Sequence, residues 1–147
     1  MKLMIATALS HGAKLLIMDE PTAGLDPVVR KEILDILQEF IEDGKKSVLF
    51  STHITSDLDG IADYLTFIKN GEMIFSKDME SLKENYRIIK GSKEELEELK
   101  LEFINIKKYN YYYEGLALVE GDFSLEIGEV PSIEEIMYHY SKGEGNV

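Results

Sequence analysis

At 147 residues, 44% apolar and 30% charged, the chain has the make-up of a folded soluble protein of one domain, or one layered unit with a small addition, and not of a disordered segment. Its net charge of −12 leaves no basic block to neutralise phosphates, which argues against nucleic-acid binding. Cysteine is absent, so disulfides, thiolate catalysis and Cys-based zinc sites are all excluded, and no apolar run approaches the roughly 20 residues needed to span a bilayer.

In chain order, "MKLMIATALSHG" reads as an amphipathic helix closed by Gly12 in the position that favours a left-handed backbone; it is too short for a secretory leader. The continuous apolar run Leu15 to Met18 fits a strand buried on both faces of a parallel sheet. Asp26-Pro27 is a helix start, with Asp as N-cap and Pro at the first helical position. Ile33, Leu34, Leu37, Phe40 and Ile41 then recur at spacings of three and four up to Gly44. "SVLFSTH", Ser47 to His53, is a second buried strand with a polar end; 57–63 reads as a short helix; and "YLTFIKNGEMIFS" is a hairpin turning at Asn70-Gly71. Strand, helix, strand, helix, hairpin is an α/β order with crossover connections.

From about Met79 the texture becomes that of a small α+β unit. It comprises "YRIIKG", the helical "SKEELEELK", the strands "LEFINIKKYN" and "YYYEGLALVEG", and a last helix "SIEEIMYHYSKG" capped by Ser132 with Glu135 closing a capping box. The division into 1–78 and 79–147 falls between Ser76 and Tyr86. His11 and His139 have no acidic or histidine neighbours at metal-ligand spacing and are assigned to solvent or packing. Tyr109, Tyr111, Tyr112 and Tyr113 are assigned to strand packing, since base stacking would sit poorly with the charge.

Chemistry concentrates in "KLLIMDEPTAGLDP". An apolar strand ending in Asp19-Glu20 can offer one carboxylate to a hard cation and the next to an attacking water. In open parallel sheets that strand end is where ligands bind. Taken alone, two acids at a strand end are better explained as solvated loop residues. His53 alone is explained as a strand-end cap, and Asp26 as a helix cap.

Taken together, the stretch resembles the ATP-binding subunits of ABC transporters. "LLIMDE" is similar to their Walker B strand with the adjacent catalytic glutamate, "AGLD" (Ala23 to Asp26) to their D-loop, and "STHI" around His53 to their switch histidine. The likeness is specific over Lys14 to His53 and looser as far as the hairpin. It implies a partial P-loop NTPase-type layered core with parallel strands, followed by the α+β appendage. It also implies MgATP as cofactor, with Asp19 on Mg²⁺, Glu20 polarising water, His53 on the γ-phosphate, and Asp26 contacting a second ATPase subunit in a head-to-tail dimer. A transmembrane permease partner would hold the parent at the inner face of the cell membrane.

No Gly-x-x-x-x-Gly-Lys-Ser/Thr loop occurs in the sequence, nor an "LSGG" signature, nor the glutamine loop that faces the membrane subunits. The resemblance therefore predicts that the chain starts just after the signature, inside a longer parent. It also predicts that the chain in isolation binds nucleotide very weakly, has negligible ATPase activity, and self-associates through uncovered apolar faces. Two other expectations stand beside this one: a non-catalytic interaction protein, and a truncated product without a function of its own.

Overall fold

The computed structural model describes residues 2–119 and 127–143. The chain folds as two compact units, Met1–Ile61 and Ala62–Val147. Met1 and residues 120–121, where two of the expected elements begin and end, lie outside the described residues.

In the first unit, α1 (Lys2–Ser10) is followed by Gly12 at φ +64°, and the chain enters β1 (Leu15–Asp19). Helix α2 (Pro27–Ile41) crosses over to β2 (Ser47–Ser51), which runs parallel to β1 in the register Leu15↔Ser47 to Asp19↔Ser51. The α2 start is the expected one: Asp26 accepts hydrogen bonds from the Val28 and Val29 amides at 3.1 Å each, and Pro27 stands at the first helical position. The core comprises Ile5, Leu16, Ile33 and Leu37, with Ala8, Leu9, Met18, Phe40 and Val48 packed around them. Both helices thus contribute to one apolar layer against the strands.

Burial of β1 on both faces is not observed. Side chains alternate across a strand, so Leu16 and Met18 turn inward while Leu15, Ile17 and, on β2, Leu49 stay exposed. A two-stranded sheet with its helices on one side leaves its other face open. Asp19 and Ser51 belong to that open face by the same alternation. The helix expected over 57–63 is also absent: only a 3₁₀ turn, Thr55–Asp57, forms before the chain leaves the unit.

The second unit begins with the antiparallel hairpin β3 (Tyr64–Lys69) and β4 (Glu72–Asp78), which carries a bulge between Phe67 and Ile68. Its turn residues Asn70 and Gly71 have φ of +52° and +83°, the left-handed pair that a two-residue hairpin requires. After α3 (Met79–Asn85) comes a sheet in the order β5-β7-β6, all antiparallel, from β5 (Tyr86–Gly91), β6 (Glu102–Lys108) and β7 (Tyr113–Leu118). Helix α4 (Lys93–Glu98), with its Ser92–Glu95 capping box, sets Leu96 against Ile89, Ala117 and Val119. Helix α5 (Ile133–Gly143) buries Ile133, Ile136 and His139, and its start has the expected reciprocal Ser132–Glu135 bonds.

The hairpin groups with this second unit, so the packing boundary falls at residue 61 and not after residue 78. The reason is an aromatic cluster. Tyr140 of α5 lies 5.0 Å from Phe75 of β4, ring centre to ring centre, and its hydroxyl is 2.7 Å from that of the buried Tyr86, which also accepts from Lys77. Tyr109 and Tyr112 stack on each other at 4.8 Å in the β6–β7 turn, but Tyr111 is 97% exposed and packs against no strand.

Candidate functional site

The C-terminal ends of β1 and β2 bring together the carboxylates and the histidine singled out in the sequence. Because Asp19 and Ser51 are register partners, the Ser51 hydroxyl donates to Asp19 Oδ1. The strand pairing continues one step further: the Glu20 amide donates to the Ser51 carbonyl at 3.0 Å and lies 3.2 Å from its hydroxyl. Glu20 itself sits at φ +46°, in the left-handed region that non-glycine residues enter only at a cost. That turn of the backbone redirects the chain off the strand and swings the Glu20 side chain toward the β2 end.

There Glu20 Oε1 meets His53 Nδ1 at 2.8 Å. His53 lies two residues past the last residue of β2, beyond the strand that was expected to carry it. The Glu20 side chain is one-third exposed and that of His53 73% exposed. The other carboxylate oxygen, Glu20 Oε2, is buried without a hydrogen-bond partner. A buried acceptor left open is costly unless something fills it, so this atom marks where a donor such as water is accommodated.

Asp26 caps α2 and is exposed. The structure does not bring it into contact with Asp19, Glu20 or His53; a turn containing Gly24 (φ +71°) separates it from the strand end. Three residues that the sequence reading passed over also belong here. Thr22 and Asp57 are both buried, and the Thr22 hydroxyl donates to Asp57 Oδ2 at 2.5 Å. Arg30 of α2 completes the group, with Nε 3.0 Å from Asp57 Oδ1 and Nη2 3.2 Å from the Ser56 hydroxyl. Asp57 is one of three aspartates, with Asp59 and Asp63, that closely follow His53, and nothing in its residue type singles it out for burial.

An ABC transporter ATP-binding protein of Bacillus subtilis, YxlF, described as uncharacterized, is 40% identical over 83 residues, 56% of this chain and 28% of that protein. The lantibiotic transport ATP-binding protein SrtF of Streptococcus pyogenes is 40% identical over 77 residues, 52% of this chain and 33% of its own. Over about half of its length this chain is similar to ABC transporter ATP-binding proteins.

The bacitracin transport ATP-binding protein BcrA of Bacillus licheniformis is similar over 86 residues at 34% identity, 58% of this chain and 28% of that protein. The matches thus span about a quarter to a third of the length of these ABC relatives. A family model described as "AAA domain, putative AbiEii toxin, Type IV TA system" matches residues 2–59. A solved metal-chelate type ABC transporter in an inward-facing conformation is similar at a TM-score of 0.49 and 19% identity, covering 79% of this chain and 44% of that one; that likeness is too partial to argue from.

For an ABC ATP-binding protein the implied groups are Mg²⁺ and ATP. Asp19 offers a hard oxygen ligand beside a serine hydroxyl, but among the described residues no set of three or more Asp, Glu, His or Cys could hold a metal by itself. Such a donor set fits Mg²⁺, which is usually bound by one or two carboxylates with waters and substrate phosphates filling its octahedron. It does not fit a metal caged by protein alone. No helix of the described residues is long and apolar enough to cross a membrane.

Proposed function

We propose that this chain supplies the water-activating half of an ABC-type ATP site. The observation that carries the reading is the Glu20–His53 pair at the ends of two parallel strands, with one Glu20 oxygen held by the histidine and the other open. With Glu20 ionised, its carboxylate only accepts, so His53 donates to it from Nδ1. That bond orients the Glu20 carboxylate, and Oε2 is left to take the proton of an attacking water. A positioned general base is worth ~10²–10⁴-fold in rate. Asp19, steered by Ser51, would hold Mg²⁺, whose chemistry is to neutralise the developing phosphate charge. The solvent-facing edge of the His53 ring is assigned to the γ-phosphate, and Asp26 to a second ATPase subunit across the nucleotide.

Binding of the triphosphate is a separate task. A glycine-rich loop with its lysine cradles phosphates in P-loop proteins, and these 147 residues contain no such loop. Hydrolysis on this reading requires one from polypeptide outside them, together with a permease to couple the cycle to transport at the cytoplasmic face of a membrane. The open apolar face bearing Leu15, Ile17 and Leu49 is assigned to burial against polypeptide, and against other copies when the chain is alone.

Calorimetric titration of the 147-residue chain with MgATP tests this assignment. The expected result is no saturable binding in the micromolar range and no turnover. Stoichiometric micromolar binding, with turnover abolished by Glu20→Gln, would overturn the division of labour. A binding or complementation role unaffected by both Asp19→Asn and Glu20→Gln would instead favour a non-catalytic interaction protein.

A further inference from the structure

The loop that carries Glu20 and Asp26 and the segment that carries His53 leave the sheet from neighbouring strands, and they are tied together twice. The first tie is the exposed pair Glu20–His53. The second, deeper tie joins Thr22 to Asp57, both buried, and extends through Arg30 to helix α2. We propose that Thr22 and Asp57, braced by Arg30, are positioning residues for the reaction: they close a ring between the two segments that holds Glu20 against His53. The inference rests on the reading of Glu20 and His53 given above and adds to it the side chains that keep them in register.

The physical argument starts from Glu20. Its φ of +46° is a conformation that persists only where the surroundings over-determine it. On the N-terminal side the Ser51 bonds fix its amide. On the C-terminal side the Glu20 carbonyl accepts a turn bond from Ala23 at 3.2 Å, so the next strong constraint along the chain is Thr22. Its hydroxyl bonds a buried carboxylate, a charge-assisted contact of the stronger kind. Asp57 in turn ends the 3₁₀ turn Thr55–Asp57, which begins two residues after His53, and its second oxygen faces the Arg30 guanidinium at 3.0 Å. Arg30 sits one turn into α2, whose Ile33 and Leu37 are fully buried. The brace therefore refers both segments to the packed core of the unit. Without it, Glu20 would be free to relax to negative φ and turn its carboxylate away from the ring.

The readout is the His53 tautomer in the full 147-residue chain labelled with ¹⁵N-histidine, recorded at pH 8 without nucleotide. Long-range ¹H–¹⁵N spectra distinguish Nδ1–H from Nε2–H rings, and an unpaired imidazole in water favours the latter. Wild type is expected to show the Nδ1–H pattern at His53, and Glu20→Ala to lose it. Thr22→Val, which keeps the side-chain shape and removes the hydroxyl, is expected to move His53 to the Glu20→Ala pattern, and Thr22→Ser to restore wild type. A folded Thr22→Val chain that retains the wild-type His53 pattern overturns the proposal. Should Thr22→Val lose its amide dispersion, Arg30→Gln decides, because that side chain is partly exposed and outside the apolar core. A partial shift toward the Glu20→Ala pattern supports the brace, and an unchanged pattern overturns it. Since no nucleotide enters, a brace confirmed here stands even if hydrolysis is never found. A wild-type chain lacking the Nδ1–H pattern refutes the Glu20–His53 pairing itself.

Discussion

Asp26 has two roles in this account, and they can be separated by substitution. Its Oδ1 satisfies two of the four amides that an α-helix start leaves without partners, at 3.1 Å each. Replacing such a cap by alanine costs about 0.5–2 kcal/mol. Because the site is exposed, water compensates part of the loss, which places Asp26→Ala near the middle, about 1 kcal/mol. Helix α2 carries Ile33 and Leu37, two of the four residues of the apolar cluster that also holds Ile5 and Leu16, so fraying its start is felt across that cluster. For a unit of about 60 residues, 1 kcal/mol corresponds to a melting shift of ~4–8 °C. Asp26→Ser retains a capping oxygen and should melt close to wild type, while removing the carboxylate assigned to the subunit contact. Thermal unfolding followed by far-UV circular dichroism measures both. Equal melting of wild type and Asp26→Ala, or equal destabilisation by Ala and Ser, would refute the capping argument.

Other outcomes follow from the second unit and from the open sheet face. Burial holds the pKa of His139 below the ordinary histidine value, against the opposing pull of Glu114. The unfolded chain therefore takes up this proton first as pH falls through about 6.5. Stability of the second unit should drop from there until the folded-state pKa is reached, and urea midpoints from pH 8 to pH 5 should show a weaker drop in His139→Gln. Gly115 of β7 lies under the Phe103 ring, where an added Cβ would come within 2.5 Å of a ring carbon. Gly115→Ala should destabilise by about 1–3 kcal/mol in urea unfolding, and a neutral result would mean that the ring moves aside freely. Sedimentation velocity should show concentration-dependent association that Ile17→Lys weakens; a sharp monomer at high concentration would contradict the role given to the open face.

Much of the site was legible because its cues are local. Asp-Pro announces a capped helix, Asn-Gly a tight hairpin, and an apolar run ending in Asp-Glu a strand with carboxylates at its tip, and all three elements form as read. The features that were not legible depend on what lies across space. Whether Ile17 is buried is decided by how many layers cover the sheet, and a run of apolar residues cannot report that. Thr22 and Asp57 are 35 positions apart in sequence and ordinary loop residues by type, so only the fold shows that they share a hydrogen bond. His139 is buried because α5 packs on the sheet next to Glu114, a proximity that helical spacing alone does not reveal. The hairpin's grouping with the second unit likewise rests on Tyr86, Phe75 and Tyr140 meeting from three separate elements.

The central claim, that these residues carry the hydrolytic edge of an ABC-type site and need a phosphate loop from elsewhere, is tested most directly by a hybrid. Residues 1–78 would replace the corresponding segment of the Bacillus licheniformis bacitracin transport ATP-binding protein, so that the host's remaining polypeptide supplies what this chain lacks. The account predicts a folded hybrid that turns over MgATP and loses at least ~10²-fold in rate on Glu20→Gln, the lower bound for a positioned base. A folded hybrid that binds ATP but does not hydrolyse it, or whose turnover is indifferent to Glu20→Gln, would contradict it.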